Sequence, residues 1–189
     1  MQQKETQLML RKSKQAFPKS SINAFHEDGD VKIVKATIEH AGYLQHHLRD
    51  TDIRECMIHG ATPWRALHVP LSSKHAKTWT GLYKDKPVCM FGVFPFENTA
   101  HLSSGHIWLL GSNVLDEFPR KFLTTSKLMS NWLCNQYDWV ENLVPVEHER
   151  TIRWLDWLGY SFSNQPTVIN GYHCLRFVRC QPEIEVRFD

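Results

Sequence analysis

"YDWVENLVPVEHERTIRWLDWLGYSF", residues 137–162, decides how the chain folds. Its first part, "DWVENLV", is a short apolar strand that breaks at Pro145, a residue with no N–H for a sheet ladder. Beyond the break, Ile152, Leu155 and Leu158 recur at the spacing of one helix face, with Trp154 and Trp157 flanking them. The spacing predicts a helix over 147–158. Gly159 follows at once, where a left-handed residue closes a helix at least cost. Tyr160 and Phe162 then open another strand. A strand, a helix and a return strand in this order lay the helix across a sheet face.

The same reading extends outward in both directions. Before this unit, Phe118, Phe122, Leu128, Met129, Trp132 and Leu133 predict a long helix over 117–136. "GHIWLLGS" reads as a strand, entered through the Ser/Gly turn at 103–105. "AKTWTGLY" and "KPVCMFGVFPF" read as two strands joined at hairpin length by Lys84, Asp85 and Lys86. Ahead of them, Thr62 caps a helix with Pro63 at its first position, and Pro70 is expected to stop it. Asp50 or Asp52 caps a shorter helix that ends at Gly60. Thr37 caps one over 38–49, with Ala41, Leu44 and Leu48 on one face. "VKIVKAT" is the first strand, and "YSFS" and "GYHCLRFVR" are the last two. The result is an α/β mixed sheet with helices on both faces, one domain over 31–189 with no internal repeat. Residues 1–30 are polar and turn-rich, with a basic bias from Arg11, Lys12, Lys14 and Lys19. They read as a flexible basic N-terminal arm, either solvated or ordered on contact with a partner.

Composition narrows the function classes. A net charge of +2 gives no strong nucleic-acid signal and no pull toward a membrane surface. The longest apolar run, residues 88–96, is about half the ~20 residues a bilayer span needs, and it contains Pro95. The N-terminus lacks the apolar stretch of a secretory signal. Cys56, Cys89, Cys134, Cys174 and Cys180 are odd in number and none are spaced C-x-x-C, so no disulfide framework or zinc site is indicated and a reducing interior is expected. His46, His47 and the other histidines lack metal-ligand spacing, so no metal is expected.

The element order resembles that of the N-acetyltransferases called GNAT. Read together, "VKIVKATIEHAGYLQHHLRDTDIREC", "KPVCMFGVFPF", "GHIWLLGSNVLDEFPRKFLTTSK" and the opening stretch sharpen the resemblance. Over residues 31–180 they are similar to a bacteriophage family with a GNAT-like fold. That family includes internal virion protein A of short-tailed phages, and its members often carry an acetyltransferase label by similarity. The resemblance implies a late virion or assembly protein, located in the virion or the infected host cytoplasm. Its GNAT-like fold would be a scaffold for phage structural or assembly proteins. The alternative it implies is an active acetyl-CoA-dependent N-acetyltransferase acting on a host or phage protein or a small amine.

The resemblance also says where chemistry would sit. An active GNAT enzyme holds the acetyl-CoA pyrophosphate on backbone amides opening its long central helix, under a Q/R-x-x-G-x-G/A signature. Here that stretch is "SNVLDEFPRKFLTT", and no glycine occurs between Gly111 and Gly159. Asp116 and Glu117 put negative charge where an anion would lie. Arg120 and Lys121 remain as side-chain candidates for cofactor binding, or as a solvated face. The family's Asn and general-acid Tyr positions in the late helix fall on His148 and Leu155, and a leucine carries no proton to donate. His106, Glu141 and Tyr160 are the remaining catalytic candidates, with Tyr137 a further possible acid; none is selected by spacing. The expectation is a retained fold with no cofactor, and acetyl-CoA only if the enzyme alternative holds.

Overall fold

The computed structural model describes residues 24–96 and 103–181. Its centre is a nine-stranded sheet. The strands are β1 (Ala24–Asp28), β2 (Val31–Lys35), β3 (Lys77–Tyr83), β4 (Lys86–Pro95), β5 (Ser104–Gly111), β6 (Trp139–Pro145), β7 (Ser161–Phe162), β8 (Thr167–Ile169) and β9 (Tyr172–Cys180). They lie in the order β1-β2-β3-β4-β5-β6-β9-β7, with β8 paired to β9. Every pairing is antiparallel except β5 with β6.

Helices α1 (Ile38–Leu44), α2 (Asp50–Ile58) and α3 (Pro63–Ser72) cover one face, and α4 (Pro119–Cys134) and α5 (Glu149–Leu158) the other. The period-two alternation of a strand separates the two cores. Cys89, Phe91 and Val93 of β4 face α4 and α5, while Met90 faces α1 and α3. The opening stretch folds largely as read, except that β6 runs through Pro145 and α5 starts at Glu149, two residues later than expected. Leu155 and Leu158 are buried, Ile152 and Trp154 are half-buried, and Gly159 takes φ +91° at the C-cap. Thr37 and Thr62 accept the expected capping bonds from the amides of His40 and Arg65.

Several boundaries differ from expectation. The sheet begins at Ala24, inside the segment expected as an arm, because β1 returns on β2 and Phe25 packs on Trp79 and Trp132. Residues 1–23 lie outside the described residues. α1 ends at Leu44, since Leu48 bridges Ser112 and the Arg49 amide donates to the Gly111 carbonyl. Arg49, and neither Asp50 nor Asp52, is the N-cap of α2; the Asp52 carboxylate accepts from Arg49 and from the Gly111 amide instead. Pro70 sits inside the last turn of α3, where only two helical residues follow it and one lost hydrogen bond is tolerable. Residues 113–117 form a 3₁₀ turn, so α4 starts at Pro119. The β3–β4 connection is tighter than expected: Lys84 and Asp85 alone turn it, both at positive φ. Strand β8 had no sequence signal.

One feature of the sheet positions the site. β5 and β6 pair only over Ser104–His106 and Trp139–Glu141. β4 holds β5 as far as Gly111, and β9 holds β6 as far as Pro145. The two half-sheets therefore diverge past His106 and Glu141, and a wedge opens between them.

Candidate functional site

Strand alternation turns the N–H and C=O of Ile107, Leu109 and Gly111 toward the wedge. Two of these residues find partners. The Gly111 amide donates to Asp52 Oδ2 at 2.6 Å, and the Ile107 carbonyl accepts from Asn142 Nδ2 at 2.6 Å. Asn142 Oδ1 also accepts from the Leu143 amide at 2.7 Å. Its carboxamide thus stands in for a peptide unit and adds one rung where the ladder has ended. Leu109 keeps its amide and carbonyl toward the opening, with no strand partner there.

The wedge leads into a chamber of about 450 Å³ between the sheet, α4 and α5. Leu109, Leu115, Phe122, Val144, Trp154 and Leu155 are among its walls. Phe122 and Trp154 close ring to ring across the two helices at 5.4 Å, and Trp154 Nε1 donates to Ser126 Oγ. Because the sheet is split here, side chains from the far face reach the chamber: Arg49, the N-cap of α2, and Asp52 and Glu55 of α2 contribute to its lining. Asp52 is 4 % exposed and accepts from Arg49, Thr51 and Gly111. Burial raises its carboxyl above the usual range, against the opposing pull of Arg49. Glu55 Oε2 lies 3.7 Å from His148 Nδ1, whose side chain is almost wholly buried, and Arg54 lies 3.6 Å from Glu147. At the mouth, Arg150 donates to Asp116 and ties α5 to the turn before α4.

The expected site residues fall in different places. His106 and Glu141 are register partners, yet both project to the α1–α3 side and not into the chamber under α4. Burial lowers the pKa of His106, helped by His59 and opposed by Glu141. Glu141 is bound by Arg176 in a short ion pair. Tyr160 is buried, its hydroxyl 3.0 Å from Ser130 Oγ, and burial drives its pKa up; it fastens α4 to the sheet. Tyr137 is likewise buried and raised. Lys121 donates to the Asp28 carbonyl at 3.0 Å and pins the β1–β2 turn, so it does not reach the chamber. Arg120 is exposed to solvent. Leu155 lies in the chamber wall, and His148 pairs with Glu55. No group of three potential metal ligands occurs among the described residues. No helix among them is long and apolar enough to cross a membrane.

Sequence reasoning passed over Asn142, Arg49, Asp52, Glu55 and Arg150. Only Asn142 left a trace, as a lone amide in an apolar strand. Arg49 pairs with Asp52 three residues on, but Asp52, Glu55 and Arg150 also find partners across gaps such as the 59 residues between Asp52 and Gly111, which no local pattern records.

The strand order, the single parallel pair that splays, and the helices on both faces define the GNAT acetyltransferase fold. Solved structures share it. The spermidine N-acetyltransferase of Vibrio cholerae, in complex with CoA and spermine, superposes with TM-score 0.60 at 9 % identity, over 82 % of this chain and 97 % of that one. RimL, the ribosomal L7/L12 α-N-protein acetyltransferase in complex with coenzyme A, gives 0.55 at 11 % identity over 83 % and 97 %. Aminoglycoside acetyltransferase AAC(6')-Ib with coenzyme A gives 0.58 at 11 % identity over 80 % and 95 %. No protein-family model matches the chain, and no curated protein does.

Proposed function

We propose that this chain is a bacteriophage internal virion or assembly protein that uses its GNAT-like fold to bind other phage proteins, without transferring an acetyl group. The observation that carries the reading is the start of α4. A pyrophosphate needs several converging amide donors and close backbone approach, which glycine permits. Here Pro119 removes a donor at the first helical position, and Asp116 and Glu117 bring negative charge. Lys121 is engaged by Asp28 and Arg150 by Asp116, which leaves Arg120 as the available cation of that set. The phage assignment rests on the sequence resemblance over 31–180, and with it a location in the virion or infected host cytoplasm. Calorimetry with acetyl-CoA is expected to show no saturable binding at micromolar ligand. Mass spectrometry of purified virions is expected to find the chain in stoichiometric amounts; its absence there would sink the virion role.

A second reading has its own support. The Glu55–His148 pair, between α2 and the start of α5, is a carboxylate beside an imidazole, a pairing suited to accepting a proton from an amine. The structural neighbours named above are acetyltransferases whose structures hold CoA. Tight acetyl-CoA binding that is lost with Arg120→Ala, together with acetyl transfer to any amine, would put this reading first.

A further inference from the structure

We propose that Asn170 is a deamidation site, and that its conversion to aspartate or isoaspartate unfastens the β8–β9 hairpin from α2. The site is independent of either reading of the function. Asn170 is the chain's only asparagine followed by glycine, and glycine leaves the next backbone nitrogen unshielded. The pair forms the two-residue turn between Ile169 and Tyr172, with φ 47° at Asn170 and 86° at Gly171. Both residues are exposed, and nothing lies within 4 Å of where a side chain at Gly171 would start. Ile169 and Tyr172 close the ladder, so the Gly171 N–H stands outside it and makes no hydrogen bond among the described residues.

The carboxamide holds the hairpin in place. Asn170 Nδ2 donates to the Ile58 carbonyl at 2.8 Å. Among the described residues this is the one side-chain hydrogen bond that joins the hairpin to α2. Ile58 is the last residue of α2, the end where unpaired carbonyls carry partial negative charge. The reaction starts when this bond opens. The Gly171 nitrogen attacks Asn170 Cγ; the N–Cγ bond forms, the Cγ–Nδ2 bond breaks, and the amide proton leaves with Nδ2 as ammonia. One water then opens the five-membered ring at either carbonyl, and nothing is oxidised or reduced. The product is a carboxylate, which has no proton to donate to Ile58 and is repelled by the carbonyl end of α2. Opening at the backbone carbonyl also routes the main chain through Cβ, which lengthens a turn whose two residues set the strand register.

The test is peptide mass spectrometry of the full folded chain aged at neutral pH in heavy-oxygen water, with the urea-unfolded chain in parallel. Conversion at Asn170, carrying the heavy oxygen, is expected in the folded chain ahead of every other asparagine. It should run slower than in the unfolded chain, because the Ile58 bond must open first. A folded chain still intact at Asn170 when the unfolded chain is wholly converted overturns the site. Hydrogen exchange reads the release. In the aged chain and in Asn170→Asp, the amides of β8 should exchange about tenfold faster than in fresh wild type. Exchange that neither ageing nor Asn170→Asp alters overturns the release. Asn170→Gly keeps the positive-φ turn and carries no carboxamide, so ageing should leave its exchange unchanged. Ageing that loosens β8 equally in that variant overturns the assignment to Asn170.

Discussion

Asn142 closes the last rung between two strands that no longer touch. Replacing it with alanine removes both of its bonds and leaves the Leu143 amide and Ile107 carbonyl half-buried and unpaired. Leaving such groups unsatisfied costs about 1–3 kcal/mol, so Asn142→Ala should lower stability by that amount in urea unfolding. Asn142→Asp should be no milder, because a carboxylate accepts from Leu143 but cannot donate to Ile107. An unchanged midpoint in both variants would mean that the rung is not formed. Asp52 makes a prediction in pH. Burial raises its folded pKa, so the folded state holds the proton more tightly than the unfolded chain does. Its contribution is fully present below the ordinary carboxylate value and is lost as pH rises through the raised folded value. Wild type should therefore gain on Asp52→Asn as the pH falls from neutral toward that ordinary value, which paired urea melts would show. A stability difference independent of pH would contradict the buried carboxylate.

At the scale of elements, α5 is the clearest case of sequence dictating structure. Its apolar stripe buries Leu155 to 4 % exposure, so Leu155→Ala should cost ~2–5 kcal/mol in a thermal melt. Gly159 at φ +91° should resist substitution, with Gly159→Ala costing about 1–2 kcal/mol for a left-handed L-residue. Little change in either melt would mean the helix register or its cap is misplaced. The two hydrophobic periods, near 3.6 and 2, made the helices, the hairpin and most strands legible. What stayed illegible depends on distant pairing. β1 forms because β2 offers an edge and because Trp79 and Trp132 offer a surface to Phe25. β8 exists only against β9, and its Asn170–Gly171 turn is set by residues with positive φ. The candidate site was illegible for the same reason. Its location in the wedge follows from strand order, but its polar groups come from α2, β5, β6 and α5 together. Arg120 and Lys121, adjacent in sequence, part company: one faces solvent and the other holds Asp28.

At the scale of the molecule, the chain is two half-sheets hinged at a short parallel contact, and the fold's edge matters to the half that carries α4. β1 is that edge. Asp28 holds Lys121 near the start of α4, and Phe25 packs at 4.5 Å on Trp132 near its end. Removing β1 therefore uncovers the outer surface of the helix that roofs the chamber. Phe25 is half-buried, so losing its burial is worth about 1 kcal/mol, against about 1.5–3 kcal/mol for a fully buried phenylalanine. For a domain of this size that is a drop of about 2–4 °C in Tm. The informative comparison is between deletion of residues 1–23 and deletion of residues 1–30, because the difference isolates β1 and its turn. The longer deletion should melt lower than the shorter one by at least that margin, and Phe25→Ala in the full chain should reproduce much of it. Equal melting of the two deletions would show that β1 lies against the sheet without stabilising it. The structured unit would then start at Val31, as the alternation of "VKIVK" alone suggests.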